Sequence, residues 1–204
     1  MARRLSEPTE ILAGATALVA WVSLGVQLAI LLNEMTLWLA LWRFAGFFTI
    51  LTNILLAVMA TQAARGSESG LAAPVPRMAI TAAILLVGIA YWFLLAPLWT
   101  PTGWQLAADI GMHSAGPILA AALWYKMSGG QLGWRDVPKA AAWPALYAIY
   151  AVARGAGDGW YAYWFLNPKD QSAIELLVSI AGFSLLVIAI AAVLVGIDRR
   201  AARG

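Results

Sequence analysis

Five polar residues stand inside otherwise apolar stretches. Thr49, Thr52 and Asn53 fall at i, i+3 and i+4 within Arg43-Phe44-Ala45-Gly46-Phe47-Phe48-Thr49-Ile50-Leu51-Thr52-Asn53. Asp109 and His113 fall at i and i+4 within Asp109-Ile110-Gly111-Met112-His113-Ser114-Ala115-Gly116-Pro117. Each set shares one helical face. His113 is the only histidine in the chain. An ionisable side chain in an apolar run is costly unless it has a partner and a use, so it marks a candidate site. A hydroxyl and an imidazole together offer nucleophilic chemistry. Threonine attacks only when a base takes its proton, a role that His113 could fill. Asp109 is the nearest group in sequence that could orient the imidazole. Asn53, one turn from Thr49, could donate to an oxyanion. Thr52 is a competing hydroxyl. Each residue also has a structural reading: a threonine bonding the backbone one turn back, an asparagine gluing helices together, a histidine that packs and hydrogen-bonds.

The elements that must position these residues are membrane helices. Of 204 residues, 62% are hydrophobic and only 11% charged, against about 25% charged in soluble domains. A helix needs roughly 20 apolar residues to cross the hydrocarbon core. Six segments of one domain qualify, at about 11–32, 44–64, 78–97, 104–127, 139–154 and 172–197. The expectation is an all-α integral membrane protein with six transmembrane helices. Ten of the thirteen lysines and arginines then fall on the side of the termini: Arg3, Arg4, Arg65, Arg77, Lys126, Arg135, Lys139, Arg199, Arg200 and Arg203. Arg43, Arg154 and Lys169 fall on the other. The excess of positive charge predicts cytoplasmic termini. Trp38, Trp42, Trp92, Trp99, Trp104, Trp160 and Trp164 lie near the outer ends, as an interfacial aromatic belt does. The alanine- and arginine-rich composition suggests a bacterial inner membrane.

The net charge of +3 is small and dispersed, which argues against a nucleic-acid surface. Cysteine is absent, so disulfides, thiolate nucleophiles and cysteine metal sites are excluded. One histidine excludes bis-histidine haem ligation within one chain and metal sites built from several histidines. No cofactor or metal is expected.

Topology brings the polar residues to one depth. Segments two and four both run inward, and at ~1.5 Å per residue Thr49 and His113 sit in the outer half of the membrane. Pro117 has no N–H, so the His113 carbonyl loses its i+4 donor and the helix there is expected to bend or open. The loops at 65–76 and 128–138 read as plain cytoplasmic linkers. The outer loop from Arg154 to Pro168 differs: three glycines precede a stretch in which five of six residues are aromatic. It reads either as a lid folding back on the bundle or as an interfacial turn. It supplies Arg154, Asp158 and Tyr163 as further candidates.

Three short motifs carry a family resemblance: Phe47-Phe48-Thr49-Ile50-Leu51, Gly111-Met112-His113-Ser114 and Tyr163-Trp164-Phe165-Leu166. In order and spacing, across most of the chain, they resemble the androgen-induced-gene-one-like family of multi-pass membrane proteins, which has bacterial relatives. The resemblance implies a threonine-dependent hydrolase of fatty acid esters of hydroxy fatty acids. Its essential threonine falls on Thr49 and its histidine on His113. The third motif departs from the family, with Trp164 in place of a proline. The expected partners are membrane lipids and a lipophilic ester entering from the outer leaflet. The competing readings are a small transporter or channel using Asp109, His113 and Arg154 as an ion path, and a lipid-binding protein without catalysis. The inner halves offer little polar surface beyond Thr61 and Gln62, which favours a closed outer pocket over a path.

Overall fold

The computed structural model describes residues 5–98 and 100–202. Arg3, Arg4, Trp99 and Arg203 lie outside the described residues. Among the described residues, eight α-helices account for most of the length: α1 (Glu7–Glu34), α2 (Leu37–Phe44), α3 (Phe48–Ala64), α4 (Pro74–Ala90), α5 (Gly103–Ile110), α6 (Gly116–Met127), α7 (Ala142–Asp158) and α8 (Ala173–Ala201). No strand occurs among the described residues. π-helical turns at Tyr91–Leu95 and Gly111–Ala115 extend α4 and join α5 to α6. Among the described residues, four helical stretches are long and apolar enough to cross a membrane: Glu7–Glu34, Pro74–Leu98, Gly103–Met127 and Ala173–Ala201. A fifth is gained if the bent pair α2 and α3 is one span.

Two segments depart from expectation. Residues 37–44, read as loop and segment start, form α2, which meets α3 at 83°. Gly46 lies in the corner between them. A Cβ there would sit 2.2 Å from Arg154 Nη1 and 2.5 Å from the Trp160 ring, so only glycine allows the close turn. The segment expected at 139–154 is α7, with 17 residues and its proline, Pro144, in the first turn, where a missing N–H costs nothing. Of the three glycines expected to bend the outer loop, Gly155 and Gly157 are helical; only Gly159, at φ 77°, closes α7.

Packing places α1 beside α3, and α4 between α6 and α8. One apolar core lies among α1, α3, α4, α5 and α6, a second among α4, α6, α8 and the 3-10 segment Trp134–Ala141. A smaller cluster holds Tyr147, Ala151 and Leu166; Phe48 packs against all three. The large exposed side chains include Trp38, Trp42, Trp92, Trp104 and Trp164.

The connections expected to be plain linkers are bolted to the bundle. Arg77 is fully buried and donates to Ala72 O (2.8 Å), Met127 O (3.1 Å) and Gln131 Oε1 (3.2 Å). Its charge meets the carbonyl end of α6, the negative end of that helix. Asp198, also fully buried, accepts from Gly129 N and Leu132 N, both at 2.9 Å.

Candidate active site

Both π-turns arise in the same way. Pro117 stands four residues after His113, and Pro97 four after Phe93, so each turn loses the hydrogen bond that ordinary winding would make. The chain widens instead: Gly116 N bonds Gly111 O, and Ala96 N bonds Tyr91 O. Such turns occur frequently at functional sites.

The two turns face one another. The Tyr91 ring stacks on the His113 ring, centroids 3.9 Å apart and planes 17° from parallel. Trp92 Nε1 donates to Ser114 Oγ at 3.1 Å. A Cβ on Gly88 would stand 3.1 Å from His113 O and 3.2 Å from Pro117 Cγ, and one on Gly111 would strike Ser23 Oγ of α1. Glycines therefore let α4 and α1 close on the turn that carries the histidine.

His113 is buried, and its Nδ1 lies 3.1 Å from the main-chain carbonyl of Asp109 and 3.7 Å from Asp109 Oδ1. A carbonyl oxygen only accepts, so Nδ1 holds the proton and Nε2 holds the lone pair. The Asp109 carboxylate accepts from Tyr91 Oη (3.2 Å) and Gln105 Nε2 (3.4 Å). Gln105 in turn donates to Gln27 Oε1 at 2.9 Å. A hydrogen-bonded row thus runs from α1 through α5 to the stacked pair.

Thr49 is the second residue of α3, at the positive end of the helix. Its Oγ1 and its N both lie 3.4 Å from Tyr163 Oη. The Tyr163 ring packs edge-on against Phe47 and Tyr147. Burial pushes the Tyr163 phenol above its ordinary pKa, so it keeps its proton. Thr49 and His113 share no hydrogen bond. Both line one cleft of about 440 Å³, together with Asp109, Gln105, Tyr91 and Tyr163. Glu34 and Gln27 also line it. A second, narrower chamber of about 70 Å³ adjoins it and is lined by Thr49, Tyr91, Leu95 and Tyr163 as well.

The other candidates lie apart from the cleft. Thr52 is fully buried and accepts from Trp143 Nε1 at 2.9 Å. Asn53 donates its amide to Thr49 O at 2.9 Å, so that donor is engaged on the backbone. Arg154 lies over the rings of Trp42 (4.0 Å) and Trp160 (5.3 Å) and donates to Trp42 O. Asp158 accepts from Trp42 Nε1 (2.6 Å) and Trp160 N (2.9 Å). These two residues latch α2 onto α7. Four polar cleft-lining groups escaped the sequence reading: Gln27, Glu34, Tyr91 and Gln105. Gln105 stands one turn before Asp109 on the same face, and Tyr91 precedes Pro97 by six residues as Gly111 precedes Pro117; both signals were present.

Among the described residues, no group of three or more histidine, aspartate or glutamate side chains is placed to hold a metal ion. The fold and cleft define an all-helical protein with four or five helices fit to cross a membrane and a polar-floored cavity at one end of the bundle. No family model, curated protein or solved structure matches the chain.

Proposed function

We propose that the protein is a membrane-embedded hydrolase of lipophilic esters, such as fatty acid esters of hydroxy fatty acids, with Thr49 as nucleophile and His113 as general base. The observation that carries this reading is that Thr49 and His113, distant in sequence, line the same cleft. His113 Nε2 takes the Thr49 proton while Oγ1 bonds the ester carbonyl carbon. The oxyanion is met at the positive N-terminal end of α3, where Tyr163 Oη, which already lies against Thr49 N, yields its place to the substrate oxygen. His113 then protonates the departing alkoxide, and water releases the acyl group from Thr49. Asp109 positions the imidazole through its main-chain carbonyl, and its carboxylate lies near enough to steady the imidazolium.

In this reading α7 completes a six-span bundle with cytoplasmic termini in a bacterial inner membrane, and the cleft opens outward. All lining residues of the cleft lie at one end of the bundle, which favours a pocket over a transport path. The motif resemblance supports the same pair. The test is hydrolysis of a lipophilic ester by the purified protein in detergent, with fluorophosphonate labelling. Thr49→Ala and His113→Ala should each abolish both with the fold intact. Wild-type rates in His113→Ala would sink the mechanism.

A further inference from the structure

The narrow chamber beside the cleft has no role in the chemistry above. Its lining comes from α3, α4 with its π-turn, α7, the segment around Phe165 and α8. Apart from Thr49, its polar side chains are Tyr91, Tyr147 and Tyr163. All three hydroxyls are already engaged: Tyr91 on Asp109, Tyr147 on Gly46 O at 2.8 Å, Tyr163 against Thr49. The chamber therefore presents apolar surface, from groups such as Leu86, Ala148, Ile180 and Phe183. The cleft instead carries Gln27, Glu34, Gln105, Asp109 and His113. Thr49 borders both cavities, but His113 borders only the cleft.

That asymmetry orients an ester. In acyl transfer the carbonyl carbon bonds to Thr49 Oγ1 and the carbon–alkoxy bond breaks. The proton taken from Thr49 passes through His113 Nε2 to the alkoxide oxygen. The leaving oxygen must therefore stand on the His113 side. We propose that the chamber is the acyl-chain site, which takes a straight, unsubstituted alkyl chain, while the cleft takes the alcohol arm. This rests on the hydrolase reading. The chamber's small volume, about 70 Å³ against about 440 Å³ for the cleft, makes it selective for narrow chains. Leu94, which lines it, is also exposed at the helix surface, so a longer chain has a way out toward lipid.

The experiment uses p-nitrophenyl esters, in which the leaving group is constant and only the acyl chain changes. Wild type should hydrolyse butyrate, octanoate and laurate, and should reject the branched pivalate. Ala148→Leu and Ala90→Leu place extra carbons in the chamber. Each should lower kcat/KM for laurate roughly tenfold or more relative to butyrate, a discrimination of the size apolar pockets achieve. Two variants on different helices guard against one failing to fold. An unchanged chain-length profile in a folded variant that still cleaves butyrate overturns the chamber assignment alone. Absence of turnover by wild type on every ester overturns the hydrolase reading and the assignment with it. As a second measurement, a diazirine-bearing fatty acid should crosslink to Ile180 or Phe183. Crosslinks confined to cleft residues such as Gln27 or Gln105 contradict the proposal.

Discussion

Trp143 holds Thr52: its indole N–H donates to the threonine hydroxyl at 2.9 Å, from half-buried Trp143 of α7 to fully buried Thr52 of α3. The hydroxyl is thereby committed to packing and is sealed from the cleft that Thr49 lines. Thr52→Val should leave the indole N–H unpaired and cost about 1–3 kcal/mol of stability, with labelling and turnover retained. Thr49→Ala should lower turnover on the order of a thousandfold or more at near-native stability. Thermal denaturation in detergent and ester kinetics separate the two. Loss of labelling in Thr52→Val alone would assign the nucleophile to Thr52.

Asp109 binds the imidazole by its main chain, so Asp109→Asn keeps the bond that sets the tautomer. The expected fall in kcat/KM is about tenfold, far less than the roughly 10⁴-fold known where a triad carboxylate is lost. A fall as deep as that of His113→Ala would mean that the carboxylate, rather than the carbonyl, holds the ring.

Gly88→Ala adds a methyl 3.1 Å from the His113 carbonyl. Crowding of this kind costs about 1–3 kcal/mol, and here it pushes directly on the π-turn. Both the thermal midpoint and kcat should fall. Pro117→Ala restores an N–H and should lower kcat without loss of stability. A Pro117→Ala enzyme with wild-type kcat would show that the widened turn is not needed for catalysis.

Glu34 lines the cleft, and among the described residues no lysine or arginine lines it with Glu34. An ester whose alcohol arm bears a carboxylate meets like charge there. Glu34→Gln should lower KM for such an ester a few-fold, less so at high salt, and leave a neutral ester unaffected. Equal effects on both esters would place the carboxylate elsewhere.

Arg154→Gln removes a buried cation from between two indoles and a donor from Trp42 O. The loss should be about 1–3 kcal/mol, read as a lower unfolding midpoint, while the folded fraction still labels at Thr49. Abolished labelling in folded protein would give Arg154 a part in the chemistry.

Several of these features are legible in residue spacing alone. The i, i+4 pair Asp109 and His113 shares a face, and Pro117 announced a deformed turn. Hydropathy located the four longest apolar helical stretches to within a few residues. What spacing could not supply was tertiary partnership. Nothing in the sequence singles out Tyr91 until the two π-turns meet and its hydroxyl bonds Asp109. Thr49 and Thr52 are indistinguishable until Trp143 claims one of them. Arg77 looked like a topological charge, because nothing local says that three acceptors from Ala72, Met127 and Gln131 converge on it. Arg154 and Asp158 drew attention as charges near a site, yet their partners are the rings and backbone of a neighbouring helix. Charge identifies a residue that needs company; only packing says whose.

Each π-turn amounts to one surplus residue in its span. A regular helix advances about 100° per residue, so everything after Ala115 is rotated by that angle relative to an uninterrupted winding, and everything after Leu95 likewise. The faces that α5 and α6 turn to the bundle are matched only with the surplus in place. Point substitutions in these turns change a contact, whereas removal of a single residue from Gly111–Ala115 would swing the whole of α6, and with it the Trp124 and Met127 packing, out of phase with its neighbours. The stacked imidazole thus owes its place to a counting error that two helices make together.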